Sequence, residues 1–386
     1  MSGNLQVALK EATNRERLTI ELPTGQLDVT VVRSDLPLDL LCGFAARQNP
    51  KRGFLFVSKV LGKHIPARPS AVRDTHRRLA AKIPSNLPGP VVVIGMAETA
   101  ICLGHGVYDE YVRLNGREDV LFIHSTRYRL SNEAAVEFLE EHSHAADHKI
   151  YQPMHAADRS LFRCARSVVL VDDEASTGKT FVNLVRALQG SMPVLQQVVT
   201  VVLTDWRGAE RRAATMADMP VGSASVSLLE GQYRFSPAAN AVAIKMPQVA
   251  GNGQLKDRLL ARNYGRLGLR GPLSSLPQVS LPVNQGQRLL VLGTGEFAYP
   301  PFLLAERLEE KGVDVYFQAT TRSPIILGGA IGVHLCFRDN YEDRILNFLY
   351  NVHRGQYDRI VVCHETPAST LDSSLLAALG AEKLEF

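Results

Sequence analysis

Long hydrophobic runs are missing from this 386-residue sequence. Apolar runs such as Val91–Gly95 and Val198–Leu203 are much shorter than the roughly 20 residues that a membrane-spanning helix needs. The first residues, MSGNLQVALKEATNRER, also lack the apolar stretch of a secretory signal. We therefore expect a cytoplasmic protein with no membrane partner.

Cysteine is scarce as well, with five residues that lie far apart in the chain. They form no C-x-x-C pair and no even set, which argues against a disulfide framework. We expect all of them to be buried, reduced thiols. They are Cys42, Cys102, Cys164, Cys336 and Cys363.

A large excess of one charge is also absent, since the formal net charge is +4. No dense stripe of Lys and Arg is interleaved with aromatic residues, so we expect no nucleic-acid partner. The small positive excess suits a small substrate rich in phosphate. With 45% hydrophobic and 21% charged residues, the composition is that of a globular protein. The length predicts two domains.

Short β-rich runs recur in the first part of the chain and alternate with helical patterns. The runs are Leu27–Val32, Gly53–Val57, Val91–Gly95, Val120–His124, Ser167–Val171 and Gln197–Leu203. We predict helices at Asn132–Glu141 and Thr180–Leu188. This alternation predicts an α/β fold with a mainly parallel sheet flanked by helices.

A segment rich in Gly, Pro, Ser and polar residues interrupts this alternation from about Asn252 to Pro282. We place the domain boundary there, with one domain at 1–265 and a smaller α/β domain at 266–386. The interrupting residues include Gly271, Pro272, Ser274, Ser275 and Pro277. In the second domain we predict strands Arg288–Leu292, Asp314–Gln318 and Arg359–Cys363, and helices Pro301–Lys311 and Tyr341–Val352.

The most informative segment is Val168–Thr180, which reads VVLVDDEASTGKT. Four apolar residues predict a buried strand, Asp172 and Asp173 end it, and a small polar loop leads into a helix. Adjacent carboxylates can accept hydrogen bonds from the vicinal hydroxyls of a ribose and hold a divalent cation. The N–H groups of the loop and the helix N-terminus attract a phosphate. The segment therefore predicts a site for a ribose 5-phosphate.

Two other interpretations of this segment were considered. Gly178-Lys179-Thr180 ends like a Walker A loop, G-x-x-x-x-G-K-[ST], but its first glycine would fall at Asp173. A carboxylate there would repel the phosphates that a Walker loop binds, so that interpretation fails. The remaining alternative is that the two aspartates are only an N-cap and a loop charge.

The segment resembles the signature that binds 5-phosphoribosyl 1-pyrophosphate (PRPP) in type I phosphoribosyltransferases. Nearly the whole chain resembles the orotate-phosphoribosyltransferase-like family found with bacterial tellurium-resistance gene clusters, which carries a C-terminal TRSP domain. The letters TRSP are residues Thr321–Pro324. Other resembling segments are FVSKVLGKHIP (Phe56–Pro66), GMAETA (Gly95–Ala100), EEHSHAADH (Glu140–His148), GTGEF (Gly293–Phe297) and NFLYNV (Asn347–Val352).

The resemblance implies a type I phosphoribosyltransferase fold with a flexible hood, and Mg²⁺ bound together with PRPP. Asp172 and Asp173 would take the ribose hydroxyls. The 5-phosphate would be bound by Ser176, Thr177, Gly178, Lys179 and Thr180.

The resemblance also implies that the loop Gly95–Ala100 takes the pyrophosphate, through Ala97, Glu98 and Thr99. An ordinary strand-to-helix turn is the alternative. Orotate enzymes usually carry a lysine where Thr99 stands, so another cation must help. The candidates are Lys59, Lys63, Arg127 and a magnesium ion.

The polar, histidine-rich stretch that begins at Ser125 occupies the position of the family's hood. Transfer from PRPP depends on charge stabilisation and on excluding water. We therefore add Arg127, His142 and His144 to the two aspartates as catalytic candidates. A zinc site at His144 and His148, and ordinary solvated polar residues, are the alternatives; we predict no metal ligands in the chain.

Recognition of the base is assigned to Asp205 and Trp206, because in the family the strand after the PRPP helix ends beside the base. Trp206 would stack on a ring and Asp205 would accept from an N–H group. A buried tryptophan that anchors the sheet edge is the alternative.

Polar residues also follow three predicted strands of the second domain, and strand ends of this kind converge in α/β sheets. This predicts a separate second site for an anion, with Arg322 as its cationic fork. Its residues would be Gly293, Gly295, Glu296, Thr321, Arg322 and Ser323. A structural or docking domain is the alternative.

Together these features predict a PRPP-dependent pentosyltransferase that acts on a nucleobase-like nitrogen nucleophile, or catalyses the reverse pyrophosphorolysis. The product would be a nucleoside-like metabolite. The expected partners are PRPP and a small base-like substrate, and a homodimer is one possible assembly. The alternative is a non-catalytic regulator that senses PRPP or a nucleotide with the same fold.

Overall fold

The computed structural model describes residues 16–47, 49, 52–138, 148–238, 251–273, 281–284 and 286–386. The strands are β1 (Glu16–Leu22), β2 (Gly25–Ser34), β3 (Cys42–Ala46), β4 (Phe54–Ser58), β5 (Val91–Gly95), β6 (Val120–His124), β7 (Ala134–Phe138), β8 (His148–Tyr151), β9 (Ser167–Ala175), β10 (Gln197–Asp205), β11 (Gly222–Pro237), β12 (Arg288–Gly293), β13 (Asp314–Ala319), β14 (His334–Arg338), β15 (Leu346–Tyr350), β16 (Arg359–His364) and β17 (Glu382–Glu385).

The helices are α1 (Leu38–Leu41), α2 (Pro69–Lys82), α3 (Ile101–Asn115), α4 (Ala156–Arg163), α5 (Lys179–Leu188), α6 (Gly208–Ala217), α7 (Tyr299–Glu310) and α8 (Ser373–Leu379), with a short 3-10 turn at Ala368–Thr370. In the part of the chain that is described, none of them is long and apolar enough to cross a membrane.

A seven-stranded sheet in the order β1-β2-β11-β10-β9-β5-β6 forms the first domain. The strands from β11 to β6 are parallel and the two edge strands β1 and β2 are antiparallel, so the predicted mainly parallel sheet is confirmed. Val91–Ile94 and Val168–Val171 are fully buried, as expected for parallel strands covered on both faces. The direction of the chain across the sheet reverses between β9 and β5. Such a switch point is where ligand crevices form in α/β sheets.

The second domain is a smaller parallel sheet in the order β13-β12-β16-β17. Its helix α7 packs against α2 and α3 of the first domain. The His105 ring stacks on Tyr299 at a centroid distance of 4.6 Å, and Arg73 pairs with Glu306 at 2.5 Å. One apolar cluster therefore contains residues of both domains.

The segment between the two sheets runs along the first domain. Leu255 pairs with Arg129, and Leu269 pairs with Phe122 of β6. The predicted interrupting residues Ser274, Ser275 and Pro277 lie outside the described residues. The exact boundary between 265 and 266 stays a prediction.

Two of the predicted helices are wrong, and both segments pair as strands. Within Asn132–Glu141, residues of β7 pair with β8, and pairing across the hairpin outweighs the local helical pattern. Within Tyr341–Val352, the carboxylate of Asp339 accepts N–H groups of Tyr341, Asp343 and Ile345. This capped turn stops a helix and directs β15 to pair with β14.

The other predicted strands and helices are present; Val91–Gly95 and Val120–His124 have the predicted ends, and the rest have shifted ends. All five cysteines are reduced, as expected. Only three of them are buried. Cys164 at the end of α4 and Cys336 on the small β14–β15 sheet are exposed. The expectation that every thiol is buried was therefore wrong.

The contact between α3 and β5 leaves no room for a side chain at Gly104. A Cβ atom built there would lie 2.6 Å from the Cα atom of Gly95. We expect Gly104→Ala to lower the free energy of unfolding by about 1–3 kcal/mol, the usual cost of overpacking. Urea unfolding measures this. Gly190→Ala is the control, since a Cβ atom there meets nothing within 4 Å; equal losses in both variants would contradict the packing argument.

Candidate functional site

A cavity of about 170 Å³ lies where β9 and β5 end. Its wall includes residues 172–178 from the last part of β9 and the loop that follows, residues 96–99 after β5, and Arg47 and Arg52 from the turn between β3 and β4. Residues 321–324 of the second domain close it from the other side. The cavity is therefore built from both domains.

The carboxylates of Asp172 and Asp173 reach this cavity because β9 is longer than its neighbour β5. Pairing between the two strands stops at Gly95 opposite Val171, whereas β9 stays paired with β10 as far as Ala175. The residues after Val171 therefore project beyond the end of β5. Asp172 accepts the N–H of Asp173 at 2.9 Å.

Burial, reinforced by the charge of Glu174, raises the pKa of Asp173 to about 6. Glu174 itself pairs with Arg52 at 2.5 Å, and the Arg52 guanidinium lies 4.7 Å from the Phe54 ring centre. A carboxylate whose ionisation is disfavoured by its surroundings gains from a nearby cation. The strand end therefore favours a cationic or hydrogen-bonding ligand.

The two aspartates at the end of β9 suit magnesium only when a substrate supplies its other ligands. In the described part of the chain, no group of three or more His, Cys, Asp or Glu side chains is arranged to hold a metal. Magnesium is commonly bound by one or two carboxylates together with the phosphates of a substrate. Asp172 and Asp173 fit that mode and not a cage made by the protein alone.

The loop after β9 turns into α5 at Gly178, which has φ +80° and caps the helix. A Cβ atom at this position would lie 2.5 Å from Cγ2 of Thr215 in α6. Ser176, Thr177, Gly178 and Thr180 line the cavity, so the N-terminus of α5 faces it. The predicted Lys179 has an exposed side chain and is not part of the wall.

The loop after β5 is held on two sides. The N–H of Met96 donates to the carbonyl of Val171 at 2.9 Å, and the N–H of Ala97 donates to Oγ of Ser125 at 2.9 Å. The peptide bond between Ala97 and Glu98 is cis. Ala97, Glu98 and Thr99 all line the cavity, as predicted.

The Glu98 carboxylate is 8% exposed and faces two cations. Its oxygens lie 3.0 Å from Nζ of Lys63 and 3.7 Å from Nε of Arg322. Burial alone would raise the pKa of Glu98, but the charges of Lys63 and Arg322 overcome it and lower the pKa to about 2. Glu98 is therefore ionised at neutral pH.

The structure separates the predicted cationic candidates. Lys63 is buried against Glu98 and also donates to the carbonyl of Gly295 at 2.9 Å. Lys59 donates to the carbonyl of Asp39 and does not line the cavity, whereas Arg127 does. His142 and His144 lie outside the described residues.

The predicted second site is not a separate one. Thr321, Arg322 and Ser323 line the same cavity as Asp172 and Asp173. They reach it because the end of β13 docks on the first domain, where the N–H of Ala319 donates to the carbonyl of Gly62.

The other members of the predicted second site, Gly293, Gly295 and Glu296, do not line the cavity. Glu296 accepts from Oγ1 of Thr126 and from the N–H of Arg127 at 2.8 Å. This loop after β12 therefore serves the contact between the domains, and among the described residues it does not share the cavity that Arg322 lines.

Asp205 and Trp206 do not line the cavity either. Trp206 is 1% exposed and stacks on Phe56 with ring centres 4.4 Å apart. Asp205 pairs with Arg207 at 2.7 Å in the buried interior. The structure shows the alternative interpretation, a buried tryptophan that anchors the sheet.

Four basic side chains of the cavity wall were missed by sequence reasoning: those of Arg47, Arg52, His64 and His148. Arg47 and Arg52 flank a hairpin turn, and only the basic pair around a turn could have signalled them. Burial lowers the pKa of His64 to about 3, so its ring is neutral at pH 7. His148 contacts Oγ of Ser125 through Nδ1 at 3.1 Å; its segment was assigned to the hood, with a zinc ligand as the alternative for His148 itself.

Residues 41–232 match a family model described as phosphoribosyl transferase. Residues 270–379 match a second model, the TRSP domain that lies C-terminal to it. No curated protein matches the sequence.

Several solved phosphoribosyltransferases are similar to the chain. The adenine enzyme of Trypanosoma brucei is 12% identical, and the match covers 55% of this chain and 86% of that one with a TM-score of 0.35. The orotate enzyme of Aeropyrum pernix is 16% identical, with coverages of 41% and 71% and a TM-score of 0.25. The hypoxanthine enzyme of Trypanosoma cruzi is 17% identical, with coverages of 45% and 82% and a TM-score of 0.27.

The raised pKa of Asp173 predicts a specific pH dependence of stability. Between its ordinary pKa near 3.8 and the folded value of about 6, the folded protein binds a proton that the unfolded chain does not. The contribution of Asp173 to stability therefore falls as the pH rises to about 6 and stays low above it. The free energy of unfolding of wild type and of Asp173→Asn is measured with urea at pH 5 and pH 8. Relative to wild type, the variant should be more stable at pH 8 than at pH 5. A difference independent of pH would contradict the assignment.

Proposed function

Because residues 41–232 belong to the phosphoribosyltransferase family and residues 270–379 to the TRSP domain that follows it, we propose that the protein is a PRPP-dependent phosphoribosyltransferase. A nitrogen atom of a base-like substrate attacks C1 of the ribose, and the C1–N bond forms as the C1–O bond to pyrophosphate breaks. Pyrophosphate leaves with the electron pair, and the nitrogen gives up its proton. The reverse reaction uses the same groups.

One observation carries this proposal: an acidic strand end and a phosphate-type loop share a single cavity. Asp172 and Asp173 lie at the end of β9, and the N-terminus of α5 follows within a few residues. A vicinal diol suits the carboxylates and a phosphate suits the N–H groups at the helix end. The arrangement supports a bound ribose 5-phosphate.

The pyrophosphate group would lie along the loop after β5. Residues 97–99 and the cationic residue Arg127 line the cavity. Charge builds up on the leaving pyrophosphate in the transition state, and fixed cations and N–H groups stabilise it best where water is excluded. These residues would therefore lower the barrier by electrostatic stabilisation.

Magnesium would neutralise part of the pyrophosphate charge while bound to PRPP. Asp172 and Asp173 are the residues that would contact it, as the fit described above indicates. Their further task is to orient the ribose, so that C1 faces the incoming nitrogen.

The direct test is release of pyrophosphate from PRPP with Mg²⁺ and a panel of bases. Adenine, hypoxanthine and orotate belong in the panel because the similar solved enzymes carry these names. Release that requires one base supports the transferase. Binding of PRPP without release for any base would favour the sensing regulator, and failure to bind PRPP would refute both.

The double variant Asp172→Asn/Asp173→Asn should retain the fold and lose PRPP. The loss of two charge-assisted contacts, each of about 1.5–3 kcal/mol, should weaken the affinity for PRPP at least about a hundredfold. Isothermal titration calorimetry with PRPP and Mg²⁺ measures this. Asp74→Asn, in an exposed ion pair on α2, is the control and should bind as wild type does. Unchanged affinity in the double variant would remove the two aspartates from the site.

Gly178→Val should impair binding of the 5-phosphate. Valine disfavours the left-handed backbone at φ +80° and its Cβ atom would strike Thr215. We expect the affinity for ribose 5-phosphate to fall by roughly tenfold or more, since a displaced loop loses at least one charge-assisted contact. Gly190→Val is the matched control outside the cavity. Full affinity in Gly178→Val would mean that the phosphate binds elsewhere.

A further inference from the structure

Arg322 of the second domain is a buried cation in the wall of the cavity. It is 7% exposed, and its guanidinium carbon lies 4.8 Å from the centre of the Tyr128 ring. Its nearest carboxylates are those of Glu98 and Asp343, each 3.7 Å away. Within the described part of the chain, its Nη2 atom has no hydrogen-bond partner.

Both of these carboxylates have a closer cation than Arg322. Glu98 lies 3.0 Å from Lys63, and Asp343 lies 2.7 Å from Lys256. The ion pairs of Arg322 are the longer ones, and each carboxylate has a different cation as its main partner. A buried guanidinium with an unsatisfied N–H group is costly, which suggests a use other than holding the fold.

Arg322 lies at the end of the cavity that is formed by the loop after β5, and this loop supplies no cationic side chain. Ala97, Glu98 and Thr99 of that loop carry no positive charge, and Lys63 is already engaged by Glu98 and Gly295. The backbone N–H of Arg322 also contacts Glu98, at 3.3 Å, so the arginine lies directly against this loop. A planar fork at this point matches two oxygens of a phosphate group.

We propose that Arg322 is an anion-binding residue of the site, which contacts the pyrophosphate group of PRPP across the domain boundary, and that Glu98 competes with this anion for it. The identity of the anion rests on the proposed function. Glu98 holds the guanidinium in place, and an incoming phosphate oxygen displaces that long ion pair. The TRSP segment is thus part of the first domain's site.

The competition gives substitutions at the two residues opposite effects. Removing the cation with Arg322→Gln should weaken binding of the anion. Removing the competing carboxylate with Glu98→Gln should strengthen it, because Lys63 then lacks its negative partner and Arg322 keeps only the 3.7 Å contact with Asp343. A purely structural ion pair predicts the opposite for Glu98→Gln, a less stable protein that binds the anion no better.

The experiment titrates inorganic pyrophosphate with Mg²⁺, and separately ribose 5-phosphate, into the full-length chain. Arg322→Gln should bind pyrophosphate roughly ten- to a hundredfold more weakly, the effect of one charge-assisted hydrogen bond. Ribose 5-phosphate should bind as it does to wild type. Arg322→Lys keeps the charge but not the fork, so its affinity for pyrophosphate should lie between those of wild type and Arg322→Gln. Arg338→Gln, an exposed arginine of the same domain, is the control.

Thermal unfolding of each variant accompanies the titrations. If Glu98→Gln does not fold, the comparison of Arg322→Gln with Arg322→Lys decides alone. Equal weakening of both ligands in Arg322→Gln, or no weakening of pyrophosphate, would overturn the inference.

The outcomes also separate this inference from the proposed function. Wild-type binding of both ligands, with no change in Arg322→Gln, overturns the role of Arg322 and leaves the transferase standing. Weakened pyrophosphate binding in Arg322→Gln, with no release from PRPP for any base, supports the anion site and overturns the transferase. If wild type binds neither ligand, both proposals fall.

Discussion

The buried ion pair between the Glu98 carboxylate and Lys63, 3.0 Å apart, holds the loop after β5 in place beside the cavity. A charge removed from water is tolerated only when it is paired, and Arg322 lies 3.7 Å from the same carboxylate. Lys63 adds a hydrogen bond to the carbonyl of Gly295, so a first-domain lysine contacts both the loop after β5 and the second domain. The cavity can have its shape only while the two domains remain in contact at this point. Its chemistry is accordingly a property of both sheets.

Local patterns predicted the local parts of the site. The strand β9, its two terminal aspartates, the loop through Gly178 and the helix α5 are contiguous in sequence, and their order alone indicates a strand end followed by an anion-binding turn. The mainly parallel sheet followed from the same kind of evidence, because buried parallel strands are continuous apolar runs. Both features depend on neighbours along the chain.

Features that depend on distant residues were missed or misplaced. Arg47 and Arg322 meet at one cavity from widely separated positions, and no spacing rule links them; Arg47 was missed and Arg322 was assigned to a separate site. Trp206 was assigned to a base because it follows a strand, yet its ring is covered by Phe56 from another sheet. The strands β7 and β15 were predicted as helices because their local sequence pattern is helical. They form strands because pairing across the hairpin outweighs that local preference. In each case tertiary packing decided the outcome.

The stack of His105 on Tyr299 has a consequence for the history of the molecule. The apolar cluster around it draws residues from helices of both domains, so neither domain could be lost or exchanged without exposing that surface. A gene that lost its TRSP segment would encode a first domain with an uncovered apolar face and an open cavity. The two segments are therefore expected to be inherited as one unit, with substitutions on either side of the stack matched by changes on the other.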